Sequence, residues 1–168
     1  MKKILSILVR NRPGVLSHVA GLVTRRGYNV ESIAAGPTEN RAITRITLVV
    51  AGEGPVLEQV AKQVGKLVDV INLDDLPLDE AMTGELAIIT VRSERSKRSE
   101  MVNLVNLLSL TLTDIRDDSL SVMAAGSARQ VQMAISALKP FGILAMARTG
   151  LVALSRPSDP AHQDEEDD

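Results

Sequence analysis

The residues of this chain best suited to hold a ligand are Asn11-Arg12-Pro13-Gly14-Val15-Leu16. An apolar run of strand length, Ile4 to Val9, precedes them. Leu16, Val19, Ala20 and Val23 follow at i, i+3, i+4 and i+7, the stripe of a helix lying on a sheet. A strand therefore passes through a Pro-Gly turn into a helix. The first turn of a helix carries unpaired N–H groups and partial positive charge, and Gly14 has no side chain to keep a ligand away from them. That chemistry suits a small carboxylate. Asn11 brings a donor and an acceptor beside the turn, which is what an amino acid's carboxylate and ammonium groups require. Two plainer readings stand beside this one: Pro-Gly as an ordinary turn, and Asn11 as an Asx-turn that satisfies its own backbone.

The rest of the inventory excludes much. The 168 residues hold one Tyr, one Phe, no Trp and no Cys. The core must be aliphatic, and stacking platforms for single-stranded nucleic acid are nearly absent. Disulfides, thiolate metal sites and a cysteine nucleophile are excluded, and a reducing cytoplasm is the expected location. The two histidines, His18 in the first helix and His162 near the end, have no partners from which a metal site or a Ser-His dyad could be built. His18 is expected to face solvent. No carboxylate pair in an apolar setting presents itself, so an enzyme is a poor reading. No run approaches the ~18 apolar residues of a membrane span, and the basic start is interrupted by Asn11 to Gly14 before it acquires signal-peptide character.

Charge is uneven. The net charge is −2, yet Asp159 and the run Asp164-Glu165-Glu166-Asp167-Asp168 hold six of the 21 acidic residues, which leaves residues 1–158 at +4. Residues 157–168 are expected to be a disordered acidic tail.

The elements that must position the loop follow in order. Arg25-Arg26-Gly27 ends the first helix. Strands over Tyr28–Gly36 and Arg41–Ala51 form a hairpin around Gly36-Pro37-Thr38-Glu39-Asn40. Gly54-Pro55 opens a second helix with Leu57, Val60, Ala61 and Val64 on one side, and Leu67–Leu73 is the closing strand. The order is β-α-β-β-α-β, the ferredoxin-like arrangement. After a linker the same order returns: a strand over Leu86–Val91, a helix over Ser96–Ser109, strands over Leu110–Arg116 and Leu120–Ala125, a helix opened by the capping box Ser127-Ala128-Arg129-Gln130, and a strand or strand pair over Gly142–Leu154. The fold class is thus α+β, two ferredoxin-like βαββαβ modules, with boundaries at 1–76, a linker over 77–84, and 85–156.

The two halves differ where it matters. The first strand of the second half leads into Arg92-Ser93-Glu94-Arg95-Ser96-Lys97-Arg98, with neither Gly nor Pro, so the anion-cradling loop is lost there. The first half reads as the ligand-binding copy and the second as a copy kept for association or for docking a partner. Ile33, Ala34 and Ala35 on one strand, with Ile43, Ile46 and Val49 on the next, suggest an apolar sheet face too extensive for solvent, to be covered by a second copy or by the other half of the chain.

The loop, followed at its spacing by Gly27-Tyr28-Asn29-Val30-Glu31-Ser32-Ile33, resembles the small regulatory subunit of acetohydroxyacid synthase, also called acetolactate synthase, an ACT-domain family. Thr44-Arg45-Ile46-Thr47, Leu67-Val68-Asp69-Val70 and Ala147-Arg148-Thr149-Gly150 extend the likeness over residues 2–156. The resemblance implies an N-terminal ACT domain, a C-terminal ACT-like domain, and a non-catalytic chain that activates a separate catalytic large subunit of branched-chain amino-acid synthesis. It also implies feedback inhibition by valine bound between two ACT domains of a homodimer or higher oligomer. Thiamine diphosphate, FAD and magnesium would sit in the catalytic partner and no cofactor in this chain. Carried over residue by residue, Asn11, Pro13, Gly14, Val15 and Leu16 would hold the ligand and Asn29 would reach it across the interface. Asn29 also reads more simply as a polar residue beside the Gly27 cap. Two departures stand out: Gly84 to Val91 lacks flanking basic residues, and the acidic tail is unusual. The other reading is an ACT-domain regulator of another enzyme or of transcription, but no helix-turn-helix is left over for DNA.

Overall fold

A computed structural model describes residues 1–77 and 80–156. The acidic tail and linker residues 78 and 79 lie outside them. Two compact units are present among the described residues: Met1–Glu31, Ala35–Met82 and residues 153–156, and Ser32–Ala34 with Thr83–Val152.

The first unit contains β1 (Lys2–Arg10), α1 (Val15–Arg25), β2 (Asn29–Pro37), β3 (Ile43–Ala51), α2 (Gly54–Val64) and β4 (Val70–Leu76). Its sheet has the order β2-β3-β1-β4. β1 pairs antiparallel with β3 from Lys2↔Ala51 to Arg10↔Ile43, and antiparallel with β4 on its other side. Leu5, Ile7 and Val9 face the helices, where they meet Val15, Val19 and Val23 of α1 and Leu57, Val60 and Val64 of α2. Those spacings are the helical stripe meeting the strand's alternation. The packing fixes the direction in which α1 leaves the loop.

Two expectations are corrected here. Ile46 does not share a face with Val49, because an odd separation along a strand places side chains on opposite faces. Ile46 belongs to the helix-side core with Leu48 and Val50. The opposite face, around Ile4, Ser6, Thr47 and Val49, is itself buried. On that face the buried N–H of Ala153, a residue of the same unit, donates to Thr47 Oγ1 at 3.3 Å. The closing strand also runs later than Leu67–Leu73. Asp74 and Asp75 remain in β4 because Asp75 is paired with Lys3 at 2.6 Å and Asp74 accepts from Asn72 Nδ2 at 2.9 Å.

The second unit is built from β5 (Ala81–Arg92), α3 (Arg98–Leu107, entered through a 3₁₀ turn at Arg95–Lys97), β6 (Thr111–Ile115), β7 (Ser119–Gly126), α4 (Ala128–Leu138) and β8 (Ile143–Arg148), and the chain then runs through β9 (Val152–Ser155), which belongs to the first unit from Ala153 on. The strand order is β6-β7-β5-β8, with β9 also pairing to β5. Ala87, Ile89 and Val91 of β5 pack with Met101 and Val105 of α3 and Val131 and Leu138 of α4. β5 begins inside the stretch expected to be linker. The capping box is present, with Gln130 N–H donating to Ser127 Oγ at 3.3 Å and Ser127 N–H donating to Gln130 Oε1 at 2.8 Å. The last stretch is a strand pair, broken at Gly150, whose φ is 76°.

Candidate functional site

β1 ends at Arg10, and the chain turns over Asn11 to Gly14 into α1. Gly14 holds the N-cap position at φ 88°, ψ −13°, the left-handed region where glycine carries no steric penalty, and no side chain caps the helix. A Cβ placed on Gly14 meets no atom within 4 Å, so the approach to the helix start is open. His18 N–H donates to the Gly14 carbonyl at 2.9 Å, which closes the first helical turn. Val15 N–H makes a long bond of 3.4 Å to the Arg12 carbonyl. Among the described residues nothing accepts from the amides of Gly14, Leu16 or Ser17. These free donors and the helix dipole form a cradle for an anion.

Asn11 is placed differently from the simplest expectation. Its Nδ2 donates to the Arg41 carbonyl at 2.9 Å and its backbone N–H to the Ala42 carbonyl at 2.7 Å. The side chain therefore ties the loop to the start of β3, and it is not an Asx-turn. Its Oδ1 and one amide hydrogen remain for a ligand. Pro13 and Leu16 are exposed beside it, whereas the Val15 side chain is buried in the core, so Val15 can offer a ligand only backbone. Asn29 is exposed at the first residue of β2. The far end of β2 is the one near the loop, since Thr38 N–H donates to the Ile43 carbonyl at 3.0 Å and Ile43 is paired with Arg10. The structure thus gathers Asn11, Pro13, Gly14 and Leu16 and leaves Asn29 of the same chain at the other end of the sheet.

The corresponding loop of the second unit is filled by the chain itself. Arg98 donates from Nε to Ser93 Oγ at 3.1 Å and from Nη2 to the carbonyls of Arg116 and Asp117 at 2.8 Å each. Ser93 is buried and its N–H donates to the Asp118 carbonyl at 2.8 Å. A guanidinium and a turn occupy the ground that Gly14 leaves open in the first unit.

Sequence reasoning missed Glu85. Its side chain is only 5% exposed, and Arg148 reaches it with two bonds, Nε to Oε1 at 2.5 Å and Nη2 to Oε2 at 2.7 Å. The Arg148 pKa is raised, first by the hydrogen bond to Glu85, with burial opposing and the Glu85 charge adding. Thr149 continues the clamp, its N–H donating to the Leu86 carbonyl at 3.0 Å. Residues 63 positions apart leave no periodic signal.

Among the described residues no group of His, Cys, Asp and Glu could hold a metal ion, and no helix is long and apolar enough to cross a membrane. Residues 5–72 match the model of the acetohydroxyacid synthase small subunit-like ACT domain, and residues 84–157 that of the small subunit of acetolactate synthase. The chain is 41% identical over 152 residues to the acetolactate synthase small subunit of Mycobacterium leprae, covering 90% of each. It is 40% identical over 157 residues to that of Bacillus subtilis, covering 93% of this chain and 91% of the relative. The crystal structure of the acetolactate synthase small subunit from Thermotoga maritima superposes with a TM-score of 0.86 at 32% identity, covering 95% of this chain and 99% of that one. With full-length likeness in sequence and fold, the chain belongs to the acetolactate synthase small-subunit family.

Proposed function

We propose that this chain is the non-catalytic regulatory subunit of acetolactate synthase, that it activates a catalytic large subunit, and that it confers feedback inhibition by binding valine at the Asn11–Leu16 loop. The observation that carries the reading is the open helix start at Gly14, whose free amides suit a carboxylate while Asn11 Oδ1 suits an ammonium group. Burying an isopropyl group contributes ~1.5 to 2 kcal/mol, and charge-assisted hydrogen bonds ~1.5 kcal/mol or more each. After ordering losses, a dissociation constant between roughly 10 μM and 1 mM is expected. In this reading thiamine diphosphate, FAD and magnesium reside in the catalytic partner.

The ligand is shared between two copies. β2 is an edge strand. Two-fold antiparallel pairing of β2 with β2 of a second copy carries the partner subunit's Asn29 toward the Pro37 end of this chain, and that end adjoins the Asn11 loop. Calorimetric titration of the isolated chain with valine, leucine and isoleucine tests the reading. Heat and a raised Tm with valine are expected; neither at ~10 mM valine overturns it.

A further inference from the structure

The turn between β2 and β3 is tied together by its own side chains. Asn40 N–H donates to Thr38 Oγ1 at 3.2 Å, Ile43 N–H to the Asn40 carbonyl at 2.9 Å, and Ala42 N–H to Asn40 Oδ1 at 3.0 Å. The last of these is an Asx-turn. The N–H of Ala42 and the C=O of Arg41 belong to one trans peptide group, whose planarity points them in opposite directions. One end of that group donates to Asn40 Oδ1 and the other accepts from Asn11 Nδ2 at 2.9 Å. Holding the N–H therefore aims the C=O. Facing a carbonyl, Asn11 must present its NH₂, since its oxygen there would meet another oxygen, and Oδ1 is left for a ligand. With the peptide turned over, its N–H would take Asn11 Oδ1 and leave the NH₂ outward, the wrong polarity for an ammonium group. The second unit makes the contrast. There the carbonyls of Arg116 and Asp117, at the turn between β6 and β7, are taken by Arg98 Nη2 at 2.8 Å each, and a guanidinium has donors only, so it offers a ligand no acceptor.

We propose that Asn40 is a positioning residue of the ligand site: through the Arg41–Ala42 peptide it turns Asn11 Oδ1 toward the ligand, and so sets the preference for carboxylates that carry an α-ammonium group over plain carboxylates of the same shape. The inference rests on the reading of the Asn11–Leu16 loop as a valine site. Asn40 acts only through Asn11.

NMR titration of the full chain, followed at the amides of Gly14, Leu16 and Ser17, tests it with L-valine and with isovalerate, which lacks the ammonium group. The proteins compared are the unaltered chain, Asn40→Ala, Asn40→Asp, Asn11→Ala, and Asn11→Ala combined with Asn40→Ala. Asn40 is exposed and its φ is not positive, so Ala is tolerated there, while Asp restores the acceptor for Ala42 N–H. One hydrogen bond corresponds to about fivefold in affinity. Asn40→Ala is therefore expected to weaken valine about fivefold and to leave isovalerate within about twofold, Asn40→Asp to match the unaltered chain, and Asn40→Ala to add nothing once Asn11 is Ala. An equal loss for isovalerate, no rescue by Asn40→Asp, or additive losses in the double variant overturns the proposal, because a merely structural turn would give those results. Hydrogen exchange of the Asn11 side-chain amide, measured without ligand, keeps the two readings apart. Faster exchange in Asn40→Ala is expected, and unchanged exchange overturns the positioning role whatever valine does. No shift with valine in the unaltered chain, with exchange still accelerated by Asn40→Ala, supports the hold of Asn40 on Asn11 and overturns the valine reading of the loop.

Discussion

Asn11 and Asn29 stand at opposite ends of one sheet. Asn11 follows the last residue of β1, Asn29 is the first residue of β2, and β2 meets the Asn11 end only at Pro37. Eight residues of strand at ~3.3 Å each separate the two ends by roughly 26 Å. A single valine cannot touch both within one chain, so a shared ligand must bridge two copies, and linkage then requires it to tighten their association. Sedimentation at rising dilution is expected to show a dimer whose dissociation moves to lower protein concentration when valine is added. A monomer indifferent to valine contradicts the bridging geometry.

Inhibition and activation should separate in this chain, because the open loop is confined to the first unit while Arg98 closes its counterpart in the second. Gly14→Asp keeps the fold: its Cβ has open space, and Asp is among the residues that tolerate a left-handed backbone, at ~1 kcal/mol. It sets a carboxylate where the ligand's should lie. Added to the catalytic subunit, the variant should still raise turnover, with the inhibitory valine concentration increased tenfold or more.

Asn29→Ala removes one polar contact from an exposed strand start and leaves the backbone alone. Loss of one charge-assisted bond of ~1.5 kcal/mol should raise the inhibitory valine concentration roughly tenfold with activation retained. If the variant, still folded and dimeric, loses activation and inhibition together, Asn29 serves the subunit interface instead of the ligand.

What could be read in the sequence was whatever is local or periodic. The doubled β-α-β-β-α-β order followed from stripes such as Leu57, Val60 and Val64, and the start of α4 from Ser127 and Gln130, three residues apart. Gly14 was legible as the opening of a helix because turn chemistry is local too. Long-range pairing was not. Asp74 and Asp75 resemble linker until Lys3 answers one of them, and Glu85 resembles a surface residue until Arg148 arrives from the far end of the fold. The bond from Asn11 to the Arg41 carbonyl, 30 residues on, was invisible for the same reason and halves the donor capacity that the loop alone suggests.

The capping box gives a direct test of α4. Ser127→Ala removes the acceptor for Gln130 N–H and the partner of its side chain. A loss of ~1 kcal/mol is expected, within the ~0.5 to 2 kcal/mol of other cap removals. Urea unfolding should show a lower midpoint at unchanged slope.

Glu85 and Arg148 should behave as a unit. Glu85→Gln leaves a guanidinium facing an amide, and Arg148→Met leaves a carboxylate that is 95% hidden without its partner, so the second is the more harmful. Removing one member of a buried pair costs ~3 to 5 kcal/mol, but the Arg148 side chain is 34% exposed and water can answer part of the loss, which brings the expectation for Arg148→Met to about 2 to 3 kcal/mol. Replacing both, as Glu85→Gln with Arg148→Met, removes the unpaired charge and restores most of that stability. Denaturant midpoints of the two single variants and the double variant measure the coupling. Additive losses would mean that the pair contributes no more than its separate side chains.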